Sequence, residues 1–175
     1  MIFCGIDPGK RGAIAWMTGT RSRIEICDVP LLPDGGYNID AMAGIIRQMK
    51  SQASDLTPCG LCPGEIMLTM EWVHAMPSDG KCSAFAFGEG FGIWRGILGA
   101  LGIEPQHADP AVWKRAMLAG LESGKAAAVE QAARLFPAVA VQLRGERGGL
   151  RDGRAEALLL AEWGRRQYRL GRRAA

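Results

Sequence analysis

Near its amino end the chain runs through Ile2-Phe3-Cys4-Gly5-Ile6 and straight into Asp7-Pro8-Gly9. A short apolar run stopped by such a turn reads as a buried strand, and it leaves a carboxylate at the strand's end. Residues 12–17 and 23–28 carry β-type side chains with Gly19-Thr20 between them, so hairpin strands are expected to follow the first. Pro30, Pro33 and Gly35-Gly36 then mark a loop.

From there the period changes. Ile39, Met42, Ala43, Ile46 and Met49 step by three and four, predicting a helix over 39–54 with Asn38 as its N-cap. Residues 55–64 read as a loop and 65–71 as a strand ending in Glu71. Met76-Pro77 and Asp79-Gly80 make 74–82 a loop. Phe87, Phe91, Trp94, Leu98 and Leu101 then form a helical stripe over 83–101. Asp109 before Pro110 caps a helix through 117. Ser123 is expected to cap another to 136, where Pro137 ends it, and Gly145, Gly148 and Gly149 precede a last helix from Asp152 to about 169. Strands first and helices later, alternating in between, predict an α/β fold with a mixed central sheet flanked by helices. Residues 1–175 read as one domain with a basic tail from about 165.

Composition excludes some classes. Hydrophobic residues at 48% and charged residues at 22% argue against wholesale disorder. No stretch approaches the roughly 18 apolar residues of a membrane span, and Met1–Asp7 lacks the basic start of a signal peptide. Five cysteines, an odd count, favour reduced thiols and a cytoplasmic setting. Charge is uneven: residues 144–175 carry +5 and residues 1–143 carry −2. A basic end suits an anionic partner such as nucleic acid. Arg165, Arg166, Arg169, Arg172 and Arg173 equally suit the dipole at a helix C-terminus.

Four carboxylates stand out by position. Asp7 and Glu71 end strands, while Asp152 and Glu156 are four apart at the start of the last helix and share one face. Clustered carboxylates repel unless cations compensate, and oxygen-rich sets suit Mg²⁺ or Mn²⁺. Alternatively, Asp7 is a turn former, Asp152 a helix N-terminal acid and Glu156 a surface residue.

These residues carry a resemblance. Gly5-Ile6-Asp7-Pro8-Gly9 resembles the first strand of the RuvC-like Holliday junction resolvases. The segment Met70-Glu71-Trp72-Val73-His74-Ala75-Met76-Pro77, continued by Phe85-Ala86-Phe87-Gly88, is similar to their bacteriophage and prophage branch. So are Pro110-Ala111-Val112-Trp113-Lys114 and Asp152-Gly153-Arg154-Ala155-Glu156-Ala157-Leu158. The matches keep the family's order over roughly residues 2–165. The resemblance implies an RNase H-like fold, a homodimer, and Mg²⁺-dependent cutting of branched DNA at four-way junctions, with two ions per active site and Mn²⁺ as an alternative. Asp7, Glu71, Asp152 and Glu156 then become the catalytic, metal-binding tetrad. Lys114, Lys125, Arg151 and Arg154 become phosphate contacts, and His74, also a DNA contact, stands where cellular members place an aromatic ring just after the strand-end glutamate. Those members carry histidine where this chain has Asp152, and their last acid is an aspartate three residues on, not a glutamate four residues on.

Other signals are weighed beside it. Gly88, Gly90 and Gly92 fall inside a helical stripe, which excludes a dinucleotide loop. Gly88, Gly92, Gly96 and Gly99 make a smooth face for the sheet or for a partner helix. Cys59-x-x-Cys62 with His74 and Cys82 has irregular zinc spacing, so reduced cysteines are the default reading. Trp16, Trp72, Trp113 and Trp163 read as core, and His107 as an ordinary residue near a strand end. Alternative functions are an RNase H-like nuclease on RNA or another branched nucleic acid, a non-catalytic junction-binding module, and an actin-like kinase. The last needs two such domains to enclose ATP.

Overall fold

The computed structural model describes residues 1–56, 64–72, 80–121 and 124–174, with backbone alone for 81, 82 and 172–174. Its strands are β1 (Ile2–Ile6), β2 (Ala13–Thr18), β3 (Ile24–Asp28), β4 (Ile66–Glu71) and β5 (Gln106–Ala108), joined in the order β3-β2-β1-β4-β5. The hairpin strands β1, β2 and β3 pair antiparallel, whereas β4 and β5 join parallel, each reached through a helix. Helices are α1 (Ile39–Asp55), α2 (Lys81–Ala100), α3 (Pro110–Met117), α4 (Lys125–Leu135) and α5 (Asp152–Ala174), with a 3-10 segment at Pro137–Leu143. This is the mixed, helix-flanked sheet that the pattern predicts.

Side chains alternate across a strand, so the central β1 feeds two cores. Ile2, Cys4 and Ile6 join Ile14 and Trp16 against α1 and α2, through Met42, Ile46, Met49, Trp94 and Leu98. Phe3 joins Ala13, Ala15 and Met17 on the other face, against Trp113, Phe136 and the α5 residues Leu158–Ala161. Every residue of β1 is buried, which explains why it reads as an unbroken apolar run. The helix starts follow their caps: the Ala41 N–H donates to Asn38 Oδ1 at 3.0 Å, and the Ala111 and Val112 N–H groups donate to Asp109 Oδ1 at 2.9 and 3.0 Å.

Helix α5 lies directly on the sheet because glycines leave no side chain between the backbones. A Cβ at Gly5 would sit 2.1 Å from the Ala157 carbonyl oxygen and 2.5 Å from the Ala161 nitrogen, and one at Gly153 would sit 2.2 Å from the Arg11 carbonyl oxygen. Further along α5, the fully buried Glu162 accepts from Arg21, Arg165 and Arg166. Two arginines of the basic tail, the buried Arg165 and the half-exposed Arg166, are therefore committed to this internal ion-pair network.

Several expectations are adjusted. Helix α4 starts at Lys125 after Gly124, whose φ of +134° suits glycine, rather than at Ser123, which lies outside the described residues. The 3-10 segment is an additional element, the strand end expected near His107 is the three-residue β5 with His107 at its centre, and α5 continues to Ala174. Trp72 is not core: it is 40% exposed and packs edge-on against Phe91 and His107. Within α2, Trp94 and Leu98 are buried, but Phe87 is largely exposed. The face of Gly88, Gly92, Gly96 and Gly99 meets open space; Gly90 is the glycine turned toward Tyr37 and Pro8.

Gly5→Ala must push apart two backbones, and overpacking of this kind costs about 1–3 kcal/mol or more. Gly96→Ala in α2 meets nothing and should instead gain about 0.5–1 kcal/mol, the helical preference of alanine over glycine. Denaturant unfolding of both variants checks this. A Gly5→Ala protein as stable as the parent would refute the close approach.

Candidate active site

Strands β1 and β4 are parallel neighbours with Ile6 opposite Met70, so the next residue of each, Asp7 and Glu71, emerges at the same edge of the sheet. Asp7 is held by its own turn. Its N–H donates to the Ala13 carbonyl at 3.0 Å, and the Gly9 N–H donates to Asp7 Oδ1 at 3.4 Å. Helix α5 begins at Asp152, and its contact with Gly5 through Ala157 brings Glu156 over the strand ends.

The four carboxylates form one electrostatic unit. The Asp7 carboxyl is pushed up to about 7 by burial and by repulsion from Glu156 and Glu71, against the Gly9 N–H and the Lys114 ammonium. Glu156 is raised by burial, with Glu71 and Asp152 adding repulsion that Lys114 partly offsets. Lys114 Nζ lies 3.2 Å from Glu156 Oε1 and 3.5 Å from Glu71 Oε1. Burial pulls the lysine's own pKa down, but these two carboxylates win and raise it. Lys125, first residue of α4, reaches Asp152 Oδ2 at 2.8 Å with its side chain largely exposed. Each expected lysine thus meets a different part of the tetrad.

Trp113 is core, as its sequence pattern predicts, and it also reaches the site. Its indole is buried while its Nε1–H donates to Glu71 Oε1 at 3.0 Å, fixing the carboxylate's direction. The sequence signal is its place in the Asp109-Pro110 capped helix, one residue before Lys114, but a tryptophan in a core and one that orients a carboxylate look alike in sequence.

Arg151 and Arg154 lie elsewhere. Arg154 donates to both oxygens of Asp28, with Nη2 to Oδ2 at 2.7 Å, and its Nη1 donates to the Gln142 carbonyl at 2.9 Å. Arg151 Nη1 stands 3.8 Å from Asp28 Oδ2. These guanidiniums, with the Arg154 hydrogen bond foremost, hold Asp28 below its ordinary value. His74, Cys59 and Cys62 lie outside the described residues, as does the side chain of Cys82.

Among the described residues, no three Asp, Glu, His or Cys side chains are grouped as ligands of one metal ion. The donor set nevertheless fits a hard divalent cation, since it is all carboxylate oxygen. Asp7 is raised first by its burial and then by Glu156 and Glu71, which Lys114 offsets only in part. No described helix is long and apolar enough to cross a membrane.

No family model and no curated protein matches the chain. Solved structures do. The chain is similar to Thermus thermophilus RuvC at 16% identity and a TM-score of 0.55, covering 98% of this chain and 97% of that one. It is similar also to T. thermophilus RuvC in complex with a Holliday junction substrate, at 15% identity and a TM-score of 0.53, covering 98% and 96%. At such identity the likeness is one of architecture, and it extends over nearly the whole of both chains. The strand order, the layering and these neighbours together give the chain a RuvC-like, RNase H-like α/β fold.

Proposed function

We propose that the chain is a structure-selective endodeoxyribonuclease that resolves four-way DNA junctions by hydrolysing phosphodiester bonds. The observation that carries this reading is the coupling of Asp7, Glu71, Glu156 and Asp152 where two parallel strands end beneath α5. The fold it shares with a RuvC seen on a Holliday junction substrate supports it. The four carboxylates would hold Mg²⁺, two ions per site, with Mn²⁺ as a substitute. Bound there, such ions would supply the positive charge that favours an attacking hydroxide and a leaving oxygen, for hydrolysis to 5′-phosphate and 3′-hydroxyl ends. Trp113 keeps Glu71 turned into the site, Lys114 limits repulsion between Glu71 and Glu156, and the exposed Lys125, paired with Asp152 in the free chain, would turn to a phosphate once cations hold that carboxylate.

Productive resolution needs two symmetric nicks, and one site per chain serves one strand. A closed two-fold pair supplies the second site. Exposed Phe85 and Phe87 beside the open glycine face of α2 are the surface proposed for that pairing. Sedimentation should show dimers at working concentration, and Phe85→Glu with Phe87→Glu should give monomers that nick one strand. A monomer on junction DNA that still makes paired nicks would refute the pairing.

Asp7→Asn or Glu71→Gln should abolish cleavage of a labelled four-way junction in Mg²⁺ while leaving junction binding intact. Residual cleavage within tenfold of the parent, about 1.4 kcal/mol of barrier, contradicts the assigned roles. An RNA hairpin in the same assay discriminates substrates. Its cleavage with the junction left whole overturns the DNA reading.

Removing divalent ions has its own signature. Burial and its carboxylate neighbours push the folded Asp7 carboxyl up to about 7, above its ordinary value of 3.8. Between those values the folded chain binds more protons than the unfolded one, so stability falls as pH rises across that window. Glu156, also raised, acts in the same direction. In chelator the thermal midpoint should therefore be higher at pH 5 than at pH 8, and Asp7→Asn should flatten the difference. Added Mg²⁺ should stabilise the parent more at pH 8 than at pH 5, because proton and ion compete for the same oxygens. Equal stabilisation at both values contradicts ion binding by Asp7.

A further inference from the structure

Asp152 belongs to the carboxylate set and also lines a groove of about 1060 Å³. The β1–β2 turn contributes Lys10 and Arg11 to it, and the loop before α5 contributes Arg147. That loop is folded back on itself: Arg144 bridges Leu150, the Gly145 N–H donates to the Gly149 carbonyl at 2.8 Å, and Gly148 adopts a φ of +77°. Lys125, Arg151 and Arg154 complete the cationic lining, against the acids Asp28, Glu146 and Asp152.

These cations are not equally available. Arg154 spends its three nitrogens on Asp28 and Gln142, and Lys125 is paired with Asp152. Lys10 donates to the Gly35 carbonyl at 2.8 Å and has no acidic partner among the described residues. Among the described residues, Arg11 and Arg147 are exposed and have no carboxylate partner either. The groove therefore presents uncompensated positive charge from two separate loops. Among the described residues, none of its lining is aromatic, so it offers no platform on which a base could stack. Its volume lies at or beyond the top of the range for small-ligand pockets, about 300–1,000 Å³. Such a surface fits a polyanionic backbone rather than a small molecule.

We infer that this groove holds the sugar-phosphate backbone of a DNA arm leading to the catalytic carboxylates, with Arg11 and Arg147 contacting phosphates from its two loops. The inference rests on the nuclease reading above and adds the path by which the substrate reaches the site. Because the contacts are to phosphate, they act on DNA of any sequence.

The test is junction binding with Ca²⁺ in place of Mg²⁺, measured from about 50 to about 200 mM salt for the parent and for Arg11→Gln with Arg147→Gln. Each lost phosphate contact removes about 0.9 from the slope of log affinity against log salt, so across this range the parent should lose about tenfold more affinity than the double variant. Arg11→Lys with Arg147→Lys should keep the parent's slope, and each single glutamine variant should show about half of the change. Thermal unfolding confirms that the variants fold. An unchanged slope in the double variant, on a junction the parent binds and cuts, overturns the groove assignment alone. A parent that neither binds nor cuts DNA overturns the nuclease reading and this inference together.

Discussion

At Gly5 the backbone of α5 rests on the backbone of β1 with no side chain between them, and the placement of the site follows from that contact. An ordinary side chain there would hold the helix further off, carrying Asp152 and Glu156 away from Asp7 and Glu71. The contact is reinforced on both sides. Gly153 meets the β1–β2 turn at Arg11, and Gly164 lies against Thr69 of β4. Further along, Arg21 at the β2–β3 turn reaches the buried Glu162 of the same helix. A fully buried carboxylate is tolerable because three guanidiniums share it; removing partners from such a group typically costs about 3–5 kcal/mol. The helix is thus clamped at its start, over the centre of the sheet and again beyond it.

The site uses the opposite electrostatic logic. Glu162 is overcompensated and held below its ordinary value, burial notwithstanding, whereas Asp7 is undercompensated and raised to about 7. Both are carboxylates of α5 or its immediate neighbours in one fold, and their partners make the difference. A carboxylate surrounded by guanidiniums serves structure. Among the described residues, the carboxylates of the candidate site face one another with Lys114 and Lys125 as their ion-pair partners, a balance that suits the cation binding proposed for them.

Much of the architecture was legible locally. The apolar run before Asp7, the three-and-four stepping of Met42, Ile46 and Met49, and the Asn38 and Asp109 caps act within a few residues of one another, so short-range physics sets them. β5 was harder to see because three residues, Gln106–Ala108, become a strand only by pairing with β4. Trp72 was misplaced for a similar reason. An indole does not reveal in sequence whether a strand end leaves it half in solvent.

For the site, the sequence by itself determined the inventory: carboxylates at strand ends, an i, i+4 acidic pair opening a helix, lysines at the starts of two others, and a late concentration of arginine. Residue chemistry and local spacing are properties of the chain, and they survive in any fold it adopts. Only the tertiary structure decided which of these groups act together. It put Glu71 beside the Trp113 indole N–H, joined Lys114 to Glu71 and Glu156, bound Arg154 to Asp28, and left Arg11 and Arg147 without a carboxylate partner among the described residues, beside one groove. Those pairings span up to 126 positions, as between Asp28 and Arg154. They depend on how closely α5 settles on the sheet, a distance set by through-space packing at Gly5 that no local pattern encodes.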